Sequence, residues 1–162
     1  VLVEGFREYR RTHSNARLLI GAGPHPQLQS DPSYRRAYES EMSRFAEVDG
    51  VKVLGFIDAE KLPLYVRAAD VSVFAYTKYL AASGPLAFSM SVGTPVLLSS
   101  VFADVPALLQ FGLTPTALAE KLTDFFQHRE RYVSSNNELA FRAADDSVRA
   151  KYLQLYRKLS CP

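Results

Sequence analysis

Val71-Ser72-Val73-Phe74-Ala75-Tyr76, then Ser83-Gly84-Pro85-Leu86, then Gly93-Thr94-Pro95 and Val96-Leu97-Leu98: this run decides the fold. The first six residues are rich in β-branched and aromatic side chains and read as a strand. Gly84-Pro85 leads into a helix over Leu86 to Val92, because a proline in the first helical turn lacks only an N–H that would have no partner there. Gly93-Thr94-Pro95 breaks the chain, and Val96-Leu97-Leu98 is again a short apolar strand. Strand, helix, strand is the unit from which parallel sheets are made.

The same alternation extends in both directions. Upstream, Val1 to His13 has Val3, Phe6 and Tyr9 at helical spacing. Arg17-Leu18-Leu19-Ile20-Gly21-Ala22-Gly23 is an apolar run ended by glycines, hence a buried strand. Pro24, Pro26 and Pro32 impose a loop. Ser33 to Val48 is helical, with Tyr34, Ala37, Tyr38, Met42 and Phe45 on one stripe. Val51 to Gly55 is a strand, and Ala59 to Ala69 a short helix with Leu62, Tyr65, Val66 and Ala69 inward. Downstream, no strand is expected after Ser100. Val105 to Gln110 reads as one helical turn or two. Pro115 opens a helix to about His128 with Thr114 as N-cap. The tail from Arg131 to Leu159 reads as largely helical, with Val148, Tyr152, Leu155, Tyr156 and Leu159 on its apolar face.

Near-continuous apolar strands alternating with helices predict a doubly wound α/β domain, a parallel sheet covered by helices on both faces. It takes up residues 1–162 as a single domain of three layers, with helices at its C-terminal end. Ligands of such sheets bind beyond the carboxyl ends of the strands. That directs attention to Gly21–Gly23, Gly55–Ile57, Tyr76–Gly84 and Ser99–Phe102.

Composition narrows the function. The chain has 162 residues, and a domain takes roughly 100–200. With 48% hydrophobic and 22% charged residues it is not of a disordered class. The one cysteine, Cys161, builds neither a disulfide framework nor a thiolate metal site, which fits a reducing, cytoplasmic compartment. A net charge of +2 gives no argument for nucleic acid, and no aromatic-and-basic platform for it is recognisable. No apolar run approaches the roughly 20 residues of a membrane span. Arg7, Arg10, Arg11, Arg35, Arg36 and Arg44 form basic helical surfaces that suit anionic lipid headgroups and a peripheral membrane contact. Interleaved Glu4, Glu8, Glu39, Glu41 and Glu47 favour a solvated mixed face. The opening Val1-Leu2-Val3-Glu4 has neither an initiator Met nor a signal pattern, and we read it as the start of a fragment or processed chain.

Few constellations carry chemistry. Gly21-Ala22-Gly23 follows a strand, but no third glycine opens a helix, so it is a weak dinucleotide fingerprint. It is either a tight turn or a place where a ligand meets the backbone. Ser83-Gly84-Pro85-Leu86 opens a helix, so it is either an ordinary cap or a seat for a phosphate. Ser83 lacks the preceding glycine of a nucleophile elbow. His13, His25 and His128 are scattered without i, i+4 partners, so no metal site is expected. No residue stands out as catalytic.

In order along the chain, Phe6-Arg7-Glu8-Tyr9-Arg10, Ala16-Arg17-Leu18-Leu19-Ile20-Gly21-Ala22-Gly23-Pro24, Val51-Lys52-Val53-Leu54-Gly55-Phe56-Ile57, Leu64-Tyr65-Val66-Arg67-Ala68-Ala69-Asp70-Val71, Ser83-Gly84-Pro85-Leu86 and Met90-Ser91-Val92-Gly93-Thr94-Pro95-Val96 resemble the C-terminal domain of GT-B-type retaining glycosyltransferases of group 1. Helix followed by Gly-x-Pro-Val is the most specific part. The resemblance implies a Rossmann-like domain that holds a nucleotide-sugar donor, UDP- or GDP-linked, as substrate with no further cofactor. An N-terminal acceptor-binding domain would face it across a cleft, serving polysaccharide or glycoconjugate synthesis. Carried over residue by residue, Gly55, Phe56 and Ile57 lie against the nucleobase, and Gly21 and Gly23 line the cleft. Ser83, Gly84, Pro85 and Leu86 border the phosphates and sugar, with Gly84 and Leu86 offering N–H groups that Pro85 lacks.

Two departures qualify the resemblance. Where many of these enzymes carry a pair of glutamates, this chain has Ala81 and Ser89. Ser89 would meet a ribose hydroxyl only as a neutral group, and a charge-assisted bond is roughly twice as strong as a neutral one. The basic clamp on the diphosphate, the first strand of the domain and the acceptor domain would all lie upstream of Val1. The implied role is donor binding in a retaining transferase, with the isolated chain inactive. The rival is a non-catalytic, glycosyltransferase-like binding or scaffolding subunit.

Overall fold

A computed structural model describes residues 1–25, 27–79 and 83–143. Ala81, the tail beyond Ala143 with its expected apolar face from Val148 to Leu159, and Cys161 lie outside the described residues. The elements run α1 Leu2–Arg10, β1 Leu18–Ile20, α2 Pro32–Ala46, β2 Val51–Val53, α3 Leu62–Ala68, β3 Ser72–Phe74, α4 Gly84–Ser91, β4 Val96–Ser99, β5 Gln110–Phe111, α5 Pro115–Gln127 and α6 Arg129–Ala143. The α/β alternation read from the sequence is present, and all strand pairs are parallel.

β5 corrects the expectation that no strand follows Ser100. Two residues cannot display an alternating pattern, so the sequence carries no sign of them. The stretch before it forms a single 3-10 turn, Ala107–Leu109, where one or two helical turns were expected.

Caps fix the helix ends. Asp31 accepts hydrogen bonds from the N–H groups of Ser33 at 2.8 Å and Tyr34 at 3.4 Å, and Pro32 occupies the first turn of α2. The hydroxyl and N–H of Ser33 hold the Asp31 carboxyl below its ordinary pKa. Thr114 caps α5 by accepting from the Ala117 N–H at 3.2 Å. At the end of α4 the Gly93 N–H reaches Met90 O at 3.1 Å and the Thr94 N–H reaches Ser89 O at 3.0 Å, with Gly93 at φ +80°. This paired closure needs a residue in the left-handed region, which explains the glycine of Gly-Thr-Pro.

The core sits around β4. Val96, Leu97, Leu98 and Ser99 are all 0% exposed. Leu97 packs with Leu109, Phe111, Leu118, Leu122, Phe125 and Tyr132, and Tyr9 of α1 joins them. Val96 and Leu98 pack with Phe102, Leu86 and Met90 on the other side. Asn136 of α6 is buried, and its Oδ1 accepts the Val96 N–H at 2.9 Å. β5 pairs with β4 only from Leu98 onward, so Asn136 stands in for a ladder partner at Val96.

α1 lies along α5 at close range. A Cβ on Gly5 would stand 2.8 Å from Pro115 O and 2.9 Å from the Leu118 side chain, so only glycine permits this approach. At the end of α1 the Arg10 guanidinium bonds Asp49 at 2.7 Å together with the carbonyls of Ser14 and Ala16, holding Asp49 in its charged form. That clamp fixes α1 to the approaches of β1 and β2.

Among the described residues the strands form two parallel sheets, β1-β2 and β3-β4-β5. β1 and β2 align Leu18 with Val51 and Ile20 with Val53, while β3 and β4 align Ser72 with Val96.

Candidate functional site

The carboxyl ends of β1 and β2 carry two loops that touch. A Cβ on Gly21 would lie 2.7 Å from Ile57 Cδ1, and one on Gly23 would lie 3.3 Å from Phe56 Cβ. Neither glycine has a positive φ, so the tight-turn reading is not met; each instead packs against the neighbouring loop, where a Cβ would press on the Ile57 side chain or on Phe56. Tyr38 of α2 anchors this loop by donating its hydroxyl to Ala22 O at 2.5 Å. Gly55 is different: at φ +67°, with nothing within 4 Å of a notional Cβ, its need for glycine is conformational. The turn it makes leaves Phe56 81% exposed, an aromatic face presented to solvent at a strand end. Exposed aromatic faces suit stacking on a planar ligand.

The carboxyl ends of β3 and β4 carry a second group. Ser99 donates its hydroxyl to Tyr76 O at 2.6 Å, and Tyr76 Oη and Ser83 Oγ lie 3.0 Å apart. Phe102 packs with Tyr76 and Tyr79 at ring separations of 5.7 and 5.8 Å. Ser83 is the N-cap of α4 and accepts the Leu86 N–H at 3.3 Å. The cap thus occupies one of the two N–H groups expected to serve a ligand. Space around Gly84 is open, with nothing within 4 Å of a notional Cβ. The start of α4 keeps its positive dipole end at this spot.

The structure therefore brings Gly21, Gly23, Phe56 and Ile57 together on one sheet, and Ser83, Gly84, Pro85 and Leu86 on the other. Ser89 joins neither group. It is 3% exposed, and its hydroxyl donates to Ser72 Oγ at 3.2 Å across the α4–β3 contact. Tyr76, Tyr79, Ser99 and Phe102 build the second group although no motif singled them out. Their only sequence signal is position, immediately beyond strand ends.

The basic helical surfaces are partly engaged: Arg7 pairs with Glu4, Arg35 with Glu39 and Arg10 with Asp49. Asp70, before β3, pairs with Arg129 at 2.7 Å. Among the described residues no helix is long and apolar enough to cross a membrane, and no three metal-binding side chains gather.

This arrangement of parallel strands, covering helices and strand-end loops is the fold of the C-terminal domain of GT-B-type glycosyltransferases. A sucrose-phosphate synthase from Thermosynechococcus elongatus matches 97% of the chain with a TM-score of 0.70 and 27% identity. The C-terminal domain of a glycosyl transferase group 1 family protein from Francisella tularensis matches 88% of the chain with a TM-score of 0.63 and 15% identity. The chain spans 42% of the length of the first and 76% of the second. No family model matches the sequence, and no curated protein sequence matches it.

Proposed function

We propose that this chain is the donor-binding lobe of a glycosyltransferase that moves a sugar from a nucleotide donor, UDP- or GDP-linked, with retention. The observation that carries the reading is the match to a sucrose-phosphate synthase over nearly the whole chain. In this reading the exposed ring of Phe56 stacks on the nucleobase. The open N-terminal end of α4 at Gly84 faces the diphosphate, whose charge the helix dipole favours. Donor phosphates gain about 0.3–1 kcal/mol from such a dipole, too little to stabilise a leaving diphosphate alone. Further positive charge must come from elsewhere in the working enzyme. The chain by itself therefore binds nucleotide weakly and does not turn over. An acceptor-binding lobe is the partner this reading requires.

Calorimetric titration of UDP and of GDP tests it. Base–aromatic stacking is worth about 1–3 kcal/mol, so Phe56→Ala should weaken binding about fivefold or more. Because Phe56 is exposed, the variant should melt where the parent does. Unchanged affinity in Phe56→Ala would remove Phe56 from the site, and no binding of either nucleotide would remove the site.

One observation favours the rival reading, a non-catalytic binding or scaffolding relative. Ser89 is buried and bonded to Ser72, so it offers no group to a ribose. Nucleotide affinity combined with absent transfer in the full-length protein would support that rival.

A further inference from the structure

We propose that the cleft between α2 and the loop leading into it is a saccharide-binding site. The cleft has a volume of about 310 Å³ and is lined by Pro24, Gln29, Arg35, Tyr38 and Glu39. That volume lies at the lower end of the roughly 300–1,000 Å³ of small-molecule sites. The cleft shares no residue with either strand-end group. Ala22 links it to the first of them: the neighbouring Gly21 and Gly23 lie against Ile57 and Phe56, while the Ala22 carbonyl accepts the Tyr38 hydroxyl.

Helix geometry explains why these side chains meet. Residues three and four apart on a helix are neighbours, so Arg35, Tyr38 and Glu39 share one face of α2. Pro24 and Gln29 come from the loop opposite, and that loop is tied down along its length. The His25 N–H donates to the Tyr34 hydroxyl at 2.8 Å, the Leu28 N–H to His25 O at 2.9 Å and the Asp31 N–H to Leu28 O at 3.0 Å. Asp31 then caps α2. Both walls are therefore formed before a ligand arrives, which lowers the ordering cost of binding.

The chemistry of the lining selects the ligand class. Arg35 meets Glu39 through one N–H···O contact of 3.4 Å, and both side chains are 61% exposed. A guanidinium carries several N–H donors in a planar fork, and a carboxylate accepts at both oxygens, so most of their bonding capacity is free. A sugar hydroxyl both donates and accepts, and adjacent hydroxyls on a ring match a donor fork beside an acceptor. Gln29 adds an amide with both functions. With its hydroxyl engaged by Ala22 O, Tyr38 offers its ring, whose negative π face favours the C–H groups of a sugar. Arg35 and Glu39 cancel in charge, and no other lining residue is charged. An anion would meet Glu39 and a metal ion would meet Arg35, so a neutral polyol is the ligand that every lining group accepts. This inference rests on the cleft alone and holds whether or not Phe56 and Gly84 hold a nucleotide.

Amide shifts of the chain during titration with glucose, galactose and mannose test it. At least one sugar should move the amides of Gln29, Arg35, Tyr38 and Glu39 with a common millimolar midpoint, while those of Leu98 and Phe111 stay in place. Hydrogen bonds to charged groups are the stronger ones, so Arg35→Gln and Glu39→Gln should each weaken that binding at least about fivefold. An exposed ion pair adds little to stability, so both variants should melt where the parent does. Phe56→Ala should bind the sugar as the parent does, which separates this result from that of the nucleotide titration. Inorganic phosphate and magnesium chloride serve as probes for an ion site. No saturable shift with any of these sugars, unchanged affinity in both glutamine variants, loss of sugar binding in Phe56→Ala, or the same amides moving with phosphate or magnesium would overturn the proposal.

Discussion

Leu18-Leu19-Ile20 and Val96-Leu97-Leu98 are near-equivalent apolar triplets with opposite fates. In β4 all three residues are fully buried, because β3 and β5 flank the strand and helices cover it. In β1, with a single neighbouring strand among the described residues, Leu18 and Ile20 are half-buried and Leu19 is 44% exposed. Burial here follows the number of partners around a strand, which the strand's own residues do not encode. The stability of the chain is accordingly concentrated in the β3-β4-β5 half, and the β1-β2 half is held to it by α1 through Gly5 and Arg10.

A charge placed in the well-packed half should do the most damage. Ser89→Glu buries a carboxylate beside the neutral Ser72 hydroxyl, at an expected cost of several kcal/mol in urea unfolding. Leu19→Glu, half-exposed, should cost about 1 kcal/mol or less. Similar losses would break the contrast. The truncation pair sharpens it: Leu97→Ala should cost about 2–5 kcal/mol, and Leu19→Ala about 1 kcal/mol or less. Next comes Asn136→Ala, which leaves the buried Val96 N–H without its partner and should cost about 1–3 kcal/mol. An unchanged midpoint would mean that water or β5 takes over that role.

The smallest effect depends on pH and sits where α5 meets α6. The Tyr132 hydroxyl donates to Asp124, which His128 also contacts at 2.9 Å. The Tyr132 bond, with smaller help from His128, lowers the Asp124 pKa, whereas burial, and then Asp124 itself, raises that of Tyr132. A depressed folded carboxyl stabilises above its unfolded value of about 3.9 and loses that contribution as pH falls through the folded value. A raised folded tyrosine stabilises below about pH 10 and loses its contribution as pH rises through the folded value. Asp124→Asn should therefore flatten the acid limb of a melting-temperature profile. With the side chain 44% exposed, solvent screening keeps the change modest. An acid limb identical to the parent's would contradict the assignment.

Much of the fold was legible because its signals are local. Apolar triplets ended by glycine, prolines in first turns and the cap residue Thr114 mark elements that the structure places close to where they were read. What escaped depends on contacts distant in sequence. β5 exists because β4 offers it an edge, and Asn136 docks on Val96 from 40 residues away. Ser89 sat at a position the resemblance made interesting, yet its helix face turns it toward Ser72. At the site, sequence found the glycine loops through their place at strand ends, and of these glycines only Gly55 has a backbone conformation that needs one. Sequence missed that Gly21 and Gly23 make room for Ile57 and Phe56, and that Tyr76 and Ser99 brace Ser83, since both facts require two strand ends to meet.

The proposed donor-binding role requires that the ends of both sheets serve one nucleotide-sugar crevice. Amide chemical shifts of the chain during titration with UDP and GDP test it most directly. The account predicts that Gly55, Phe56 and Gly84 shift with a common midpoint, from one ligand spanning both groups. Shifts at one group alone, different midpoints, or no shift at millimolar nucleotide would contradict it.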